Sequence, residues 1–302
     1  MTIEPAFDGL PSLSRRTVIG GVLVSLAAPR AFARHMPNKL AQAHSALKTI
    51  EASTGGRLGV ATLDTGGTLT IAYKADQRFA MCSTFKLLAA AAALARVDAG
   101  EDRLDRKIPF GPADLEDYAP IAKARVAEGA MSLADVCAAA IDWSDNTAGN
   151  LLLQAIGGPA GFTRYARALG DTVTRLDRNE PGLNSAIPGD ERDTTSPLAM
   201  ARDMRAALLG VALSEGSRRQ LEAWLIDDKV GDKRLRAGLP PSWRIGDKTG
   251  SGDNGTANAI AILRPPDRAP LFAAVYYTES SASPDARNAM HRQVAGIIAE
   301  TV

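Results

Sequence analysis

The chain has 302 residues, of which 45% are apolar, so it is long enough for one large domain or two modest domains with a sizeable core. Its 35 lysines and arginines nearly balance its 34 aspartates and glutamates, and no strong basic field is available to hold a nucleic-acid backbone. We therefore expect no nucleic-acid partner. Two cysteines are too few for a disulfide framework, and the cysteines and three histidines match no metal-ligand spacing, so we expect no metal either.

The N-terminal segment has the features of an export signal. Arg15-Arg16 precedes an apolar stretch from 18 to 28, and Ala31-Phe32-Ala33 follows it. The stretch is too short to span a bilayer, which takes about 20 residues. This order is typical of a twin-arginine signal peptide, the alternative being a chance Arg-Arg pair in a tail. We assign residues 1–33 to that signal and predict export by the twin-arginine machinery, cleavage after Ala33, no stable membrane anchor, and a periplasmic or secreted protein.

The segments that follow have an order that indicates the fold class. A helical stretch from 37 to 52 precedes two short strand-like runs, 57–64 and 68–73, which a Gly-Gly turn separates. From 83 to about 224 the chain is rich in Ala and Leu at helical spacing. Strand-like runs then return, at 243–248, 256–263 and 271–277, before a final amphipathic stretch from 284 to 300.

This order predicts an α+β fold. Strands from both ends of the chain would form one antiparallel sheet flanked by terminal helices, with an all-α region inserted between them. Residues 34–76 and 226–302 would form the α/β domain, and residues 77–225 would form the all-α domain. We expect a functional site at their junction, where clefts often form.

The first chemical candidate is the Ser-x-x-Lys motif of Ser83 and Lys86, at the start of an Ala-rich helix. Residues three apart share a helical face, so the Lys86 amine can reach the Ser83 hydroxyl, which is a poor nucleophile unless a base takes its proton. The motif alone is weak evidence, because Ser45 and Lys48 repeat it in the first helix. The rest of the sequence must therefore decide between the two copies.

Three further groups support the copy at Ser83. Ser144-Asp145-Asn146 precedes a helical run and, alone, could be an N-cap cluster. Lys248-Thr249-Gly250-Ser251 lies between two strand-like runs and could be a surface hairpin turn. Glu180 and Asn184 lie in an irregular, charged segment where a solvated loop is the default. Each group is weak evidence alone, but the four occur together in one chain.

In this order, Ser-x-x-Lys, Ser-Asp-Asn, Glu-x-x-x-Asn and Lys-Thr-Gly resemble the motifs of the class A serine β-lactamases, over essentially the whole mature chain. The resemblance implies a β-lactamase and penicillin-binding-protein-like fold, no cofactor, and a monomer that hydrolyses penicillins and cephalosporins. It implies that Ser83 attacks the lactam carbonyl to form an acyl-enzyme. Glu180, with Asn184, would activate the water that hydrolyses this acyl-enzyme. Either Lys86 or Glu180 would take the Ser83 proton during acylation, and the sequence leaves that choice open.

The resemblance also implies how the remaining groups would act. Backbone N–H groups of Ser83 and Ser251 would hold the oxyanion. Ser144 would relay a proton to the lactam nitrogen, while Lys248 would assist that step and attract the substrate carboxylate. Asn146 would bind the acylamide side chain and orient Lys86. The substrate-binding residues implied in this way are Asn146, Asn184, Thr249, Gly250, Ser251, Tyr118 and Arg234.

Two of these assignments extend beyond the four motifs. Tyr118 lies where the family often carries an aromatic wall against the substrate, the alternative being a partly exposed loop tyrosine. Arg234 is similar to an arginine that helps some members bind the substrate carboxylate. Arg178 and Asp193 would close the neck of the loop that carries Glu180 through an ion pair.

The cysteines limit what the resemblance implies about substrate spectrum. Some carbapenem-hydrolysing relatives pair a cysteine at the position of Cys82 with one just after Lys-Thr-Gly, where this chain has Gly252-Asp253. Other relatives pair a cysteine at the position of Cys137 with one that is Ala90 here. We therefore predict two unpaired thiols. Ser251 is similar to its counterpart in cefotaxime-hydrolysing members and favours cephalosporin turnover.

Two other functions use similar motifs. A penicillin-binding peptidase that acts on D-Ala-D-Ala lacks the deacylating glutamate, so Glu180 argues against it. A β-lactam receptor acylates and then stays acylated, but such a sensor normally needs a membrane tether, which residues 34–302 do not offer. Hydrolysis with turnover is therefore the favoured function.

Overall fold

The computed structural model describes the backbone of residues 30–302 and the side chains of residues 39–302 except Leu69. Residues 1–29 of the predicted signal lie outside the described residues, while residues 30–33 belong to the first helix. The export signal and its cleavage site stay predictions. Across the described part of the chain, no helix is both long enough and apolar enough to cross a membrane.

Nine strands lie in the described chain, five of them in the main sheet. They are β1 (Arg57–Asp64), β2 (Leu69–Tyr73), β3 (Phe79–Ala80), β4 (Lys107–Pro109), β5 (Ala130–Ser132), β6 (Thr194–Thr195), β7 (Arg244–Gly252), β8 (Thr256–Arg264) and β9 (Leu271–Thr278). The main sheet has the order β2-β1-β9-β8-β7, and all its neighbours are antiparallel. Strands from both ends of the chain therefore meet in one sheet, as predicted.

The α-helices of the described residues form the layers on either side of the sheet. They are α1 (Arg30–Thr54), α2 (Phe85–Asp98), α3 (Pro120–Arg125), α4 (Leu133–Asp142), α5 (Asn146–Ala155), α6 (Gly158–Ala168), α7 (Pro197–Leu208), α8 (Glu215–Ile226) and α9 (Pro284–Thr301). Helices α1 and α9 pack against each other and against the sheet, whereas α2 packs among the other helices of the central region.

Side chains that point to opposite faces of the central strands divide the hydrophobic core into two parts. On β9, Phe272 and Tyr276 pack into the cluster shared with the helical region. Their neighbours Val275 and Tyr277 pack into the cluster shared with α1 and α9. Successive side chains of a strand point to opposite faces, so a strand that is buried on both faces is apolar at nearly every position. The sheet is thus covered on both sides.

The predicted α+β fold is confirmed, with differences in detail. The hairpin-turn alternative for Lys248-Thr249-Gly250-Ser251 is wrong, because β7 continues to Gly252 and pairs with β8 along its whole length. The two-stranded pairs β3-β6 and β4-β5 and the helix α3 were not predicted. These elements have two to six residues, too few for a periodic pattern. The predicted domain boundaries stay a prediction.

Candidate active site

Ser83 lies in a short 3-10 turn that leads directly into α2, with Lys86 in the first turn of that helix. Both residues are buried, and Lys86 Nζ lies 3.0 Å from Ser83 Oγ. The helical spacing therefore brings the amine to the hydroxyl, as the sequence predicts. Ser45 and Lys48 are exposed on α1. That second copy is consequently a surface feature.

The Lys86 ammonium is fully buried and has four oxygen atoms around it. Its Nζ lies 2.8 Å from both Ser144 O and Asn146 Oδ1, in addition to the Ser83 hydroxyl. The fourth oxygen is Glu180 Oε1, at 2.9 Å, and neither side chain of this ion pair is exposed. A buried charge requires such compensation, because its desolvation is costly. The predicted contact of Asn146 with Lys86 is present.

Glu180 reaches the Ser83 hydroxyl from the loop between α6 and β6. Its Oε1 lies 3.3 Å from Ser83 Oγ, and its Oε2 accepts a 2.5 Å hydrogen bond from Asn184 Nδ2. The carboxylate therefore points at the hydroxyl, and Asn184 fixes its second oxygen. The pairing of Glu180 with Asn184 agrees with the Glu-x-x-x-Asn motif.

The neck of the loop that carries Glu180 is closed by a buried carboxylate. Asp193 is fully buried and accepts hydrogen bonds from the backbone N–H groups of Asp177, at 2.7 Å, and Arg178, at 2.9 Å. Arg178 Nε donates a third bond of 2.6 Å to its other oxygen. The predicted ion pair of Arg178 and Asp193 thus joins the two ends of this segment.

Asn150 also holds this loop, although none of the four sequence motifs includes it. Its Oδ1 accepts a 2.9 Å bond from the Glu180 N–H, and its Nδ2 donates a 3.0 Å bond to the Glu180 carbonyl. The available signal was helical spacing, because Asn150 lies four residues after Asn146 and therefore on the same face of α5. Both asparagines point from this helix toward the centre of the site.

Ser144 precedes α5 and adopts a left-handed backbone conformation, with φ of 56°. Asp145 is the N-cap of α5, and its side chain accepts from the N–H of Ala148, so part of the N-cap interpretation is correct. Lys248 Nζ on β7 donates a 3.0 Å bond to Ser144 Oγ. Burial lowers the pKa of Lys248 to about 7, although the charge of Asp228 opposes that shift.

The remainder of β7 forms one wall of the site beside Ser83. At Gly250, a Cβ atom would lie 2.8 Å from Met81 O and 3.2 Å from Ser83 N, so glycine permits the close approach of strand and turn. Arg234 forms hydrogen bonds to the same strand. Its Nη1 donates to Gly250 O at 2.8 Å, and its Nη2 donates to Ser251 Oγ at 2.6 Å.

These residues surround a cleft of about 360 Å³ between the sheet edge and the helical region. Its lining consists of Ser83, Tyr118, Ser144, Asn146, Asn184, Val230, Arg234, Thr249, Gly250 and Ser251. Tyr118 stands at its rim with 48% of its surface exposed. The other three predicted residues, Lys86, Glu180 and Lys248, are buried and form hydrogen bonds to the lining residues Ser83 and Ser144. The structure therefore brings all the predicted site residues together.

Cys82 and Cys137 are both buried and unpaired, and burial raises the pKa of each thiol. Neither thiol is therefore poised as a nucleophile beside Ser83. Within the described residues, no cluster of three or more His, Cys, Asp or Glu side chains could hold a metal ion.

Comparisons with known proteins agree on one family. Residues 42–302 match the model described as the Beta-lactamase enzyme family. Beta-lactamase CTX-M-97 of Escherichia coli is 48% identical over 261 residues, which cover 85% of this chain and 89% of that protein. A structure of an ancestral (GNCA) class A β-lactamase has a TM-score of 0.85 at 56% identity, covering 86% of this chain and 100% of the other. The putative class A β-lactamase PenP from Rhodopseudomonas palustris has a TM-score of 0.84 at 51% identity, with coverage of 86% and 100%.

Proposed function

Because the chain belongs to the class A β-lactamase family, we propose that Ser83 is its nucleophile and Glu180 the base of its deacylation step. The protein is a serine hydrolase that opens the β-lactam ring of penicillins and cephalosporins, and this activity confers antibiotic resistance. One observation carries the residue assignment: Ser83 Oγ lies within 3.3 Å of the Glu180 carboxylate and 3.0 Å of the Lys86 amine.

In acylation, Ser83 Oγ attacks the lactam carbonyl and the ring C–N bond breaks. Both Glu180 and Lys86 lie within reach of the hydroxyl proton, so either can serve as the base, directly or through a water. Lys86 can do so only after its ammonium has passed a proton to Glu180, which lies 2.9 Å away. The oxyanion is held by the backbone N–H groups of Ser83 and Ser251. Gly250 supports this arrangement, because it lets β7 approach the Ser83 turn closely.

The lactam nitrogen receives its proton from Ser144. The Ser144 hydroxyl is bonded to Lys248 Nζ, and the Lys86 ammonium is bonded to the Ser144 carbonyl, so two cations lie next to the proton donor. Positive charge at this point stabilises the serine as it loses its proton to the nitrogen, and the Lys248 ammonium bonded to its hydroxyl replaces that proton. Ser144 and Lys248 therefore act as a pair.

In deacylation, Glu180 takes a proton from a water molecule that attacks the ester carbonyl. The bond between the acyl carbon and Ser83 Oγ breaks, and Glu180 returns the proton to Ser83 Oγ. The hydrogen bond from Asn184 leaves Oε1 of Glu180 as the oxygen that faces the ester. Asn150 and Asp193 hold the surrounding loop in place. The glutamate is thus held in position before the acyl-enzyme forms, which lowers the entropic cost of the step.

Substrate binding is assigned to the rim of the cleft. One end of the cleft is polar and suits the substrate carboxylate; it is formed by Lys248, Thr249, Ser251 and Arg234. The hydrogen bond from Arg234 to Ser251 supports this assignment. Asn146 binds the acylamide side chain, and Tyr118 packs against the substrate opposite this end. Ser251 favours turnover of cephalosporins.

We further propose that the chain is exported through the twin-arginine machinery, cleaved after Ala33 and active as a monomer in the periplasm or outside the cell. The Arg15-Arg16 pair and the A-x-A segment support export. A monomer is supported by the cleft itself, because one chain supplies every residue assigned to it.

The decisive test follows nitrocefin and benzylpenicillin with the purified chain and with E180A. We expect multiple turnovers in the parent and accumulation of acyl-enzyme, detected by intact mass, in the variant. S83A should abolish labelling, while the matched control S45A should not change it. A single stoichiometric burst without turnover in the parent would contradict hydrolysis and favour a receptor or a peptidase.

A further inference from the structure

Glu116 does not line the cleft, but it contacts the hydrogen-bond network of the loop that carries Glu180. It lies between a 3-10 turn, Pro112–Asp114, and helix α3. Its Oε1 accepts a 3.0 Å hydrogen bond from Nδ2 of Asn150, the residue that also bonds to both backbone groups of Glu180. A chain of two contacts therefore connects Glu116 to the glutamate of deacylation.

The contact with Glu116 completes the hydrogen bonding of the Asn150 amide. One Nδ2 hydrogen goes to the Glu180 carbonyl, the other goes to Glu116, and Oδ1 receives the Glu180 N–H. An amide fixed at all three positions has only one orientation that satisfies them. Without the acceptor at Glu116, one N–H loses its partner, and rotation of the amide costs less.

Glu116 is itself held rigidly. Its backbone N–H donates to Thr147 Oγ1 at 2.8 Å, and that hydroxyl donates to the Asp114 carbonyl at 3.1 Å. Thr147 lies next to Asn146 in the first turn of α5. The Glu116 backbone is therefore anchored to the same helix that presents Asn150, which limits the positions that its carboxylate can take. An acceptor fixed in this way can orient its donor.

Neighbouring negative charges make the ionised form of Glu116 unfavourable at this position. Partial burial, followed by the charges of Glu180 and Asp117, raises the pKa of Glu116, whereas the bond from Asn150 lowers it. Helix α5 contributes no ionisable side chain on its side of this contact. A carboxylate held near another carboxylate is unfavourable by itself, so the bond to Asn150 is its main compensation.

We propose that Glu116 is a positioning residue for deacylation, which fixes the Asn150 amide and through it the backbone of Glu180. The proposal rests on the function assigned to Glu180 above. It requires a hydrogen-bond acceptor at position 116 and does not require the negative charge. Glutamine should therefore replace glutamate, and alanine should not.

The test measures the deacylation rate constant of E116A and E116Q in a pulse-chase experiment with benzylpenicillin, followed by intact mass. We expect E116A to deacylate about tenfold more slowly, because small displacements of a catalytic group cost one to two orders of magnitude. E116Q should stay within about twofold of the parent, since its amide oxygen accepts the same bond. D117A is the matched control, because it removes the adjacent carboxylate, which has no contact with Asn150, and it should deacylate like the parent.

Three results would overturn the proposal: parental deacylation in E116A, equal slowing in E116A and E116Q, or equal slowing in D117A. A merely structural effect of E116A would lower its melting temperature without this selective rescue by glutamine. E180A is measured in parallel. If E180A accumulates acyl-enzyme and E116A does not, only the assignment of Glu116 fails. If E180A deacylates normally, the function assigned to Glu180 fails first.

Discussion

Replacing Asp193 by alanine should loosen the loop that carries Glu180. The carboxylate is fully buried and accepts three hydrogen bonds, one of them from the Arg178 side chain in an ion pair. Breaking a buried ion pair by removing one partner costs about 3 to 5 kcal/mol. Arg178 keeps 24% of its side chain exposed and can be partly solvated after the change. We therefore expect D193A to lose about 2 to 3 kcal/mol of unfolding free energy, at or just below the lower end of that range.

The expected consequence is both thermal and kinetic. For a chain of this size, about 2 to 3 kcal/mol corresponds to a fall in Tm of roughly 4 to 12 °C. Deacylation should slow more than acylation in D193A, because the loop carries Glu180 whereas Ser83 and Lys86 lie on α2 and the turn before it. D193N keeps an oxygen that accepts the two backbone N–H groups and should give an intermediate Tm.

Thermal melting and pulse-chase deacylation with benzylpenicillin provide the assay. The matched control is D190A, which removes an exposed ion pair with Arg192 in the same loop. Surface pairs of this kind contribute little, so D190A should melt and deacylate like the parent. If D193A had the parental Tm and deacylation rate, the assignment of Asp193 as the closure of this loop would be refuted.

Two further predictions concern pH. In the proposed function the Lys248 ammonium attracts the substrate carboxylate, and the pKa of Lys248 is about 7. The kcat/KM of the parent for benzylpenicillin should therefore fall above that pH, whereas K248R stays charged and should lose this decline. Identical pH profiles of the two proteins would contradict this role of Lys248. Burial and the charge of Asp171 raise the pKa of Asp203 to about 9, whereas the pKa of an aspartate in the unfolded chain is about 4. The folded state thus keeps a proton that the unfolded state loses, and stability falls between these pH values. D203N should raise Tm at about pH 8 and change it little at about pH 4; a larger gain at the lower pH would be evidence against a buried neutral carboxyl.

The fold was predictable where residues follow a long periodic pattern. Helix α9 and strands such as β8 and β9 begin and end within a few residues of the predicted positions. The end of β7 was missed, because Thr249, Gly250 and Ser251 are typical turn residues when read locally. Pairing with β8 satisfies their backbone groups and keeps them extended. A neighbouring strand, and not local propensity, decides the conformation there.

The residues of the site were largely predictable, whereas their supports were not. The motifs identified Ser83, Glu180 and Lys248 by residue type and order. They gave no indication that Asn150 holds the backbone of Glu180, or that Glu116 contacts Asn150. A lone asparagine or glutamate is common in any sequence. Only the neighbours that it acquires on folding give it a defined position.

The amino-acid sequence by itself determined which chemical groups this protein carries and that Lys86 reaches Ser83, because one helical turn fixes the distance between them. Only the tertiary structure decided that Glu180, 97 residues from Ser83 along the chain, turns its carboxylate toward the hydroxyl, and that Lys248 meets Ser144 across 104 residues. The physical reason is that contacts between distant segments depend on how sheet, helices and loop pack together. Local periodicity carries no information about that packing.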